Sequence, residues 1–88
     1  MKVSRIRIDD VTSISTGNIN SLTVGDVVIE NGEDAQRAYT VSYKNNSDIF
    51  LVYADSEIIK EVRYNKIDDE WVYSETRSFK PEDYYTKL

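Results

Sequence analysis

Apolar and polar residues alternate with a period of two along much of this chain, and the pattern is densest over residues 49–79. Within it Ile49, Phe50, Leu51, Val52, Tyr53 and Ala54 form an unbroken apolar run. The run is too short to cross a membrane and rich in β-branched and aromatic residues, which predicts a strand covered on both faces. Asp55 and Ser56 supply a turn, because short polar side chains bond back to their own backbone. Residues 57–66 and 71–79 then read as two strands joined through Asp68, Asp69 and Glu70, a β-hairpin.

Cross-strand chemistry chooses the hairpin register, since directly opposed side chains contribute roughly 0.2 to 1 kcal/mol per pair and like charges cost a similar amount. A two-residue loop at Asp68 and Asp69 puts Lys60 opposite Arg77 and Val62 opposite Glu75. A three-residue loop from Asp68 to Glu70 puts Glu61 opposite Arg77, Arg63 opposite Glu75, Ile59 opposite Phe79 and Ile67 opposite Trp71. The second satisfies the charges and is the predicted register, although its loop lacks the Gly that such turns favour. It places Ile58, Val62, Tyr64, Val72 and Thr76 on a core face. Ile59, Glu61, Arg63, Trp71, Tyr73, Glu75, Arg77 and Phe79 fall on the other, an ionic ladder bracketed by aromatic rings.

Upstream, Val3, Ile6 and Ile8 alternate with Arg5 and Arg7 in a first strand that Asp9 and Asp10 end. Residues 11–21 are small and polar and read as a loop or a weak strand around Ile14. Leu22 and Val24 share one parity and Val27 and Ile29 the other, which predicts a β-bulge at Gly25, where a positive φ would bend the strand. The string Leu22-Thr23-Val24-Gly25-Asp26-Val27-Val28-Ile29 resembles, over these eight residues, the bent strand of small SH3-like barrels. Asn31-Gly32 predicts a type I′ hairpin turn, since both residues tolerate the left-handed conformation. Residues 37–44 continue as a strand with Tyr39, Val41 and Tyr43 on one side. After the hairpin, Pro81 with Glu82 and Asp83 starts a short helix that would cap the fold through Tyr84 or Tyr85 and Leu88. The fold class is therefore all-β: a small, strongly bent antiparallel meander or barrel of five to six strands, forming a single domain over residues 1–88 with one short C-terminal helical turn.

Composition narrows the chemistry. The chain has no Cys and no His, which removes disulfides, thiolate chemistry and the commonest general base and metal ligand. Its carboxylates cluster at Asp9-Asp10, Glu33-Asp34, Asp68-Asp69-Glu70 and Glu82-Asp83, and none has the spacing of a calcium loop. Each reads as a turn or helix start. The expectation is a non-enzyme with no cofactor and no metal.

The net charge of -5 argues against direct nucleic-acid binding, whose affinity comes largely from clustered Lys and Arg. The acidity is uneven: residues 1–44 hold 5 basic and 6 acidic groups, residues 45–88 hold 6 and 10. Asp9 and Asp10 interrupt the N-terminal stretch before an apolar secretion signal can form, so a cytoplasmic location is expected and no membrane association. Usage of Ile, Asn, Lys and Tyr is that of an A/T-rich coding sequence, which suits a phage or mobile element.

By elimination, the expected function is that of a non-catalytic protein-binding module, a small regulatory, inhibitory or assembly subunit. Its expected binding residues are Trp71, Tyr73, Phe79, Glu61, Arg63, Glu75 and Arg77, because Trp, Tyr and Arg dominate interface energetics. An edge strand beside such a surface also predicts a homo-oligomer, a homodimer first. Two other readings remain: a small-molecule or nucleotide binder with a pocket lined by Tyr39, Tyr43, Tyr53, Tyr64 or Tyr73, within one chain or completed by a second copy at a homo-oligomer interface, and an acidic mimic of DNA.

Overall fold

The computed structural model describes residues 4–32 and 35–86. Six strands follow one another in a single sheet of order β1-β2-β3-β4-β5-β6. They are β1 (Arg5–Ile8), β2 (Val27–Asn31), β3 (Gln36–Lys44), β4 (Asp48–Ala54), β5 (Ile59–Ile67) and β6 (Glu70–Phe79), with α1 (Thr16–Ser21) between β1 and β2 and α2 (Pro81–Thr86) at the end. From β2 to β6 every neighbouring pair is antiparallel, whereas β1 runs parallel to β2. The all-β reading holds as an open meander. The sheet is mixed and not closed, so the barrel alternative and a purely antiparallel pairing are corrected.

The parallel pair explains the missed helix. Two parallel neighbours need a crossover connection, and residues 9–26 supply it. Residues 11–21, expected as a loop or weak strand, contain α1, whose sequence TGNINS has little helix propensity. The helix is held from outside. The Ser15 hydroxyl accepts the Asn18 N–H at its start, and Ile19 and Leu22 are buried against the sheet. At its end Lys44, from β3, donates to the carbonyl oxygens of Ile19 at 2.9 Å and of Leu22.

Three further side chains fasten the crossover. Glu30 accepts the Val11 N–H at 2.8 Å, Tyr64 accepts the Ile14 N–H at 2.9 Å and donates to the Val11 carbonyl at 2.6 Å, and Asp26 accepts the N–H groups of Ser4 and Thr23. Beneath these contacts Val11, Ile14, Ile19 and Leu22 pack with Val28, Tyr39, Val41, Ile49, Leu51, Val62, Tyr64 and Trp71 in one core. The polar fastenings satisfy backbone groups that the loop would otherwise bury unpaired.

Several local expectations change. Leu22–Ile29 is not a continuous bent strand: Thr23 to Asp26 form a turn closed by the Asp26 N–H on the Thr23 carbonyl, and β2 starts only at Val27. The SH3-like resemblance therefore ends here. Gly25 does have the predicted positive φ, 97°, but as the third residue of that turn. Asn31 and Gly32 do not form the type I′ turn, because Asn31 pairs with Gln36 and the Gly32 N–H bonds to Ala35. The connection itself falls on residues 33–34, outside the described residues. Gly32 is needed for another reason: a Cβ there would stand 2.6 Å from the Ala35 carbonyl oxygen. Of the first strand, Val3 lies outside the described residues, while Ile6 and Ile8 pack against the core with Arg5 and Arg7 exposed. Phe50 and Val52 are half-buried, so β4 is only partly covered on its second face. At the C-terminus Tyr84 packs on Phe79, with ring centroids 5.5 Å apart, but the open sheet has no barrel end for α2 to cap. The side chain of Tyr85 and all of Leu88 lie outside the described residues.

Candidate functional site

The β5–β6 hairpin decides what the second face of the sheet presents. Its turn has two residues, not three: Ile67 pairs with Glu70, and Asp68 and Asp69 both have positive φ, 51° and 66°. That is the backbone of a type I′ turn, built from Asp residues that tolerate the left-handed region. From there Lys66 faces Trp71, Asn65 faces Val72 and Tyr64 faces Tyr73. Beyond Arg63 the register shifts by one residue, and Arg63 faces Glu75, Glu61 faces Arg77 and Ile59 faces Phe79. The two-residue loop is thus right near the turn and the charge-matched register right beyond it. Ser74 is the extra residue that joins them.

This bulge splits the predicted binding set. Directly opposed residues share a face, so Trp71 and Tyr73 lie with Lys66 and Tyr64 on the crossover side. Phe79, Glu75 and Arg77 lie with Ile59, Glu61 and Arg63 on the other. Trp71 is only 6% exposed; Asn20 accepts its indole N–H at 2.9 Å and Thr16 Oγ1 accepts its backbone N–H at 3.0 Å. The expectation that Trp71, Tyr73 and Phe79 form one surface is corrected. Val72, assigned to the core, is 45% exposed and sits on the second face.

Five predicted residues do come together. The Arg63 guanidinium lies over the Phe50 ring at 4.5 Å, its Nε bonds Glu61 Oε1 at 2.8 Å, and a terminal nitrogen stands 3.6 Å from Glu75. Arg77, by contrast, lies over Phe79 at 5.4 Å, and among the described residues no ion pair joins it to Glu61. Phe50 also meets Tyr43, with centroids 5.2 Å apart. Tyr43 reaches this side because a register shift between Val41 and Tyr43 turns it away from Tyr39, leaving it 45% exposed. Tyr43 and Phe50 were missed as surface residues: one lies past an unreadable bulge, the other inside an apolar run read as core. Val27, Ile29 and Val52 extend the face, each half-buried.

Elsewhere the polar groups are spent on the fold. Asp26, 5% exposed, gives both carboxylate oxygens to backbone donors; the Thr23 and then the Ser4 N–H hold its carboxyl below the usual carboxylate range. Burial pushes the Lys44 ammonium down, with Lys66 adding to it. Burial also raises the Tyr64 phenol to about 12. Among the described residues no group of three or more carboxylates converges as a metal site would require. Tyr39 packs on Tyr53 and Tyr64 on Tyr73, while Tyr43 stands on the opposite face, so the five tyrosines do not line one pocket within a chain. On the second face acidic and basic residues alternate, unlike the phosphate rows of DNA. No helix among the described residues is long and apolar enough to cross a membrane. Compared with protein-family models, curated proteins and solved structures, the chain matches none of them.

Proposed function

We propose that this chain is a non-catalytic protein-binding module, a small regulatory, inhibitory or assembly subunit, that engages its partner with the second face of the sheet. The observation that carries this reading is Arg63, held over Phe50 by Glu61, with Glu75 beside the guanidinium and Tyr43 against the Phe50 ring. A guanidinium pinned by a carboxylate and a ring has already lost most of its rotamer freedom, so binding would cost little further ordering. Arg and aromatic anchors surrounded by less demanding apolar contacts are the composition of interface hot spots. Val27, Ile29 and Val52 would supply those contacts.

Affinity capture from the source cell with three versions of the chain tests the reading. A protein retained by the wild type and by Val24→Ser, an exposed turn position, but lost from the Phe50→Ala, Arg63→Ala double variant would support it. The melting temperature of the double variant must stay near that of the wild type. Equal retention by all three would reject this face as the binding surface.

A further inference from the structure

We propose that the outer edge of β6 pairs with the same strand of a second copy, antiparallel and centred on Thr76, so that two six-stranded sheets join into one. The pairing uses the backbone edge of β6 together with Glu75 and Arg77 at the border of the second face, and it holds whether or not another protein binds at Arg63 and Phe50.

The pairing of β6 with β5 leaves one side of its backbone unused. Along an antiparallel strand, N–H and C=O groups point alternately to the two sides. The Lys66 N–H bonds to the Ser47 carbonyl, on the β4 side, so even-numbered residues of β5 face β4 and odd-numbered ones face β6. The β6 partners of Glu61 and Arg63, namely Arg77 and Glu75, therefore bond inward. Thr76 and Ser78 point outward. Before the bulge the outward positions are Trp71 and Tyr73, the partners of Lys66 and Tyr64, and the Trp71 N–H is taken by Thr16. The turn-proximal end of the edge is thus occupied by α1, and the bulge at Ser74 interrupts the strand. Among the described residues no backbone bond reaches the outer side of the stretch from Ser74 to Ser78.

Charge then selects the occupant and the register. A two-fold axis at Thr76 makes Thr76 face Thr76 of the second copy, with both outward groups exchanged, and brings Ser74 opposite Ser78. It also sets Glu75 opposite Arg77 of the second copy, twice by symmetry. Centring on Glu75 or on Arg77 would instead place like charges face to face, which is destabilising. Arg77 has no ion pair among the described residues, and Glu75, half exposed, meets Arg63 at 3.6 Å through Oε1, which leaves its other oxygen to face Arg77 of the second copy. The other edge of the sheet does not fit in this way: β1 pairing with itself about Ile6 would set Arg5 against Arg7.

Sedimentation across a wide concentration range tests this, with charge variants at the two positions. The wild type should reach twice the chain mass. Arg77→Glu leaves only acids at the two positions and Glu75→Arg leaves only bases, so each should be monomeric alone. Mixed in equal amounts, the two should form a heterodimer, because every facing pair is then opposite in sign. The doubly exchanged Glu75→Arg, Arg77→Glu chain should regain the homodimer. Thr76→Pro, which removes an outward N–H and leaves the inward bonds in place, should be a folded monomer by circular dichroism. A wild type that stays monomeric overturns the proposal, as do single variants that still dimerise alone or fail to associate when mixed. A mass that grows past the dimer would indicate β1-to-β6 stacking and would also overturn it.

Discussion

Tyr64 and Val11 are 53 residues apart in sequence and joined by a buried hydrogen bond of 2.6 Å. The same hydroxyl accepts the Ile14 N–H, so one phenol closes two backbone groups of the crossover from the middle of β5. Tyr64→Phe keeps the ring in the core and leaves both groups buried without a partner. Chemical denaturation should show a loss of about 1 to 3 kcal/mol, the cost of unsatisfied buried groups. A variant as stable as the wild type would mean that water replaces the hydroxyl.

The same residue sets an alkaline limit. An unfolded tyrosine ionises near pH 10, whereas burial raises Tyr64 to about 12 in the folded chain. A raised folded pKa contributes stability that is fully present below the unfolded value and is lost as pH climbs through the folded one. Stability should therefore hold to about pH 10 and fall towards pH 12, by roughly 2 to 3 kcal/mol. Tyr39, raised mainly by burial, acts in the same direction. Denaturation midpoints between pH 9 and 12 check this, and Tyr64→Phe should flatten the decline.

Gly25 occupies the turn that starts β2 with φ of 97°, and a Cβ there would meet nothing within 4 Å. Strain in the backbone, not a clash, is then the whole cost of a side chain. Gly25→Val should lower stability by about 1 to 3 kcal/mol, and Gly25→Asn by less, because Asn tolerates the left-handed region better. Equal melting temperatures for the wild type and both variants would contradict the turn geometry.

What could be read from the chain and what could not divides along physical lines. Side-chain alternation is local, so β1 and β3 to β6 and the burial of Ile49, Leu51 and Val62 were legible. So was the ladder of Glu61, Arg63, Glu75 and Arg77, because charge pairs discriminate between registers. The crossover was not legible, since α1 is stabilised by Lys44 and its burial, not by its own residues. Nor were the two bulges, at Ser42 and Ser74, since serine suits either face and marks neither. That one unmarked residue moved Trp71 and Tyr73 off the candidate surface.

Trp71 therefore reports on the core. Its emission should be blue-shifted and resistant to soluble quenchers in the monomer as well as in any assembly, given its 6% exposure and its bond to Asn20. Trp71→Ala should cost about 3 to 5 kcal/mol, as for large aromatic side chains removed from a core. A quenchable, red-shifted Trp71 in the folded chain would place it outside.

Deleting Ser74 tests the bulge itself. The residue is extra on its strand, with Tyr73 facing Tyr64 on one side of it and Glu75 facing Arg63 on the other. Its removal keeps every other cross-strand partner and leaves a regular ladder. Trp71 emission should stay as in the wild type and stability within about 1 kcal/mol, since only a bulge is lost. If the strand were regular instead, the deletion would shift one half of β6 by a residue and turn its side chains over. Either Trp71 would then leave the core or Glu75 and Arg77 would enter it, and the chain would lose several kcal/mol. Because bulges blunt sheet edges, the straightened edge should also associate more readily than the wild type. A deletion variant that exposes Trp71 would show that Ser74 pairs like its neighbours and that the two halves of the hairpin share one continuous register.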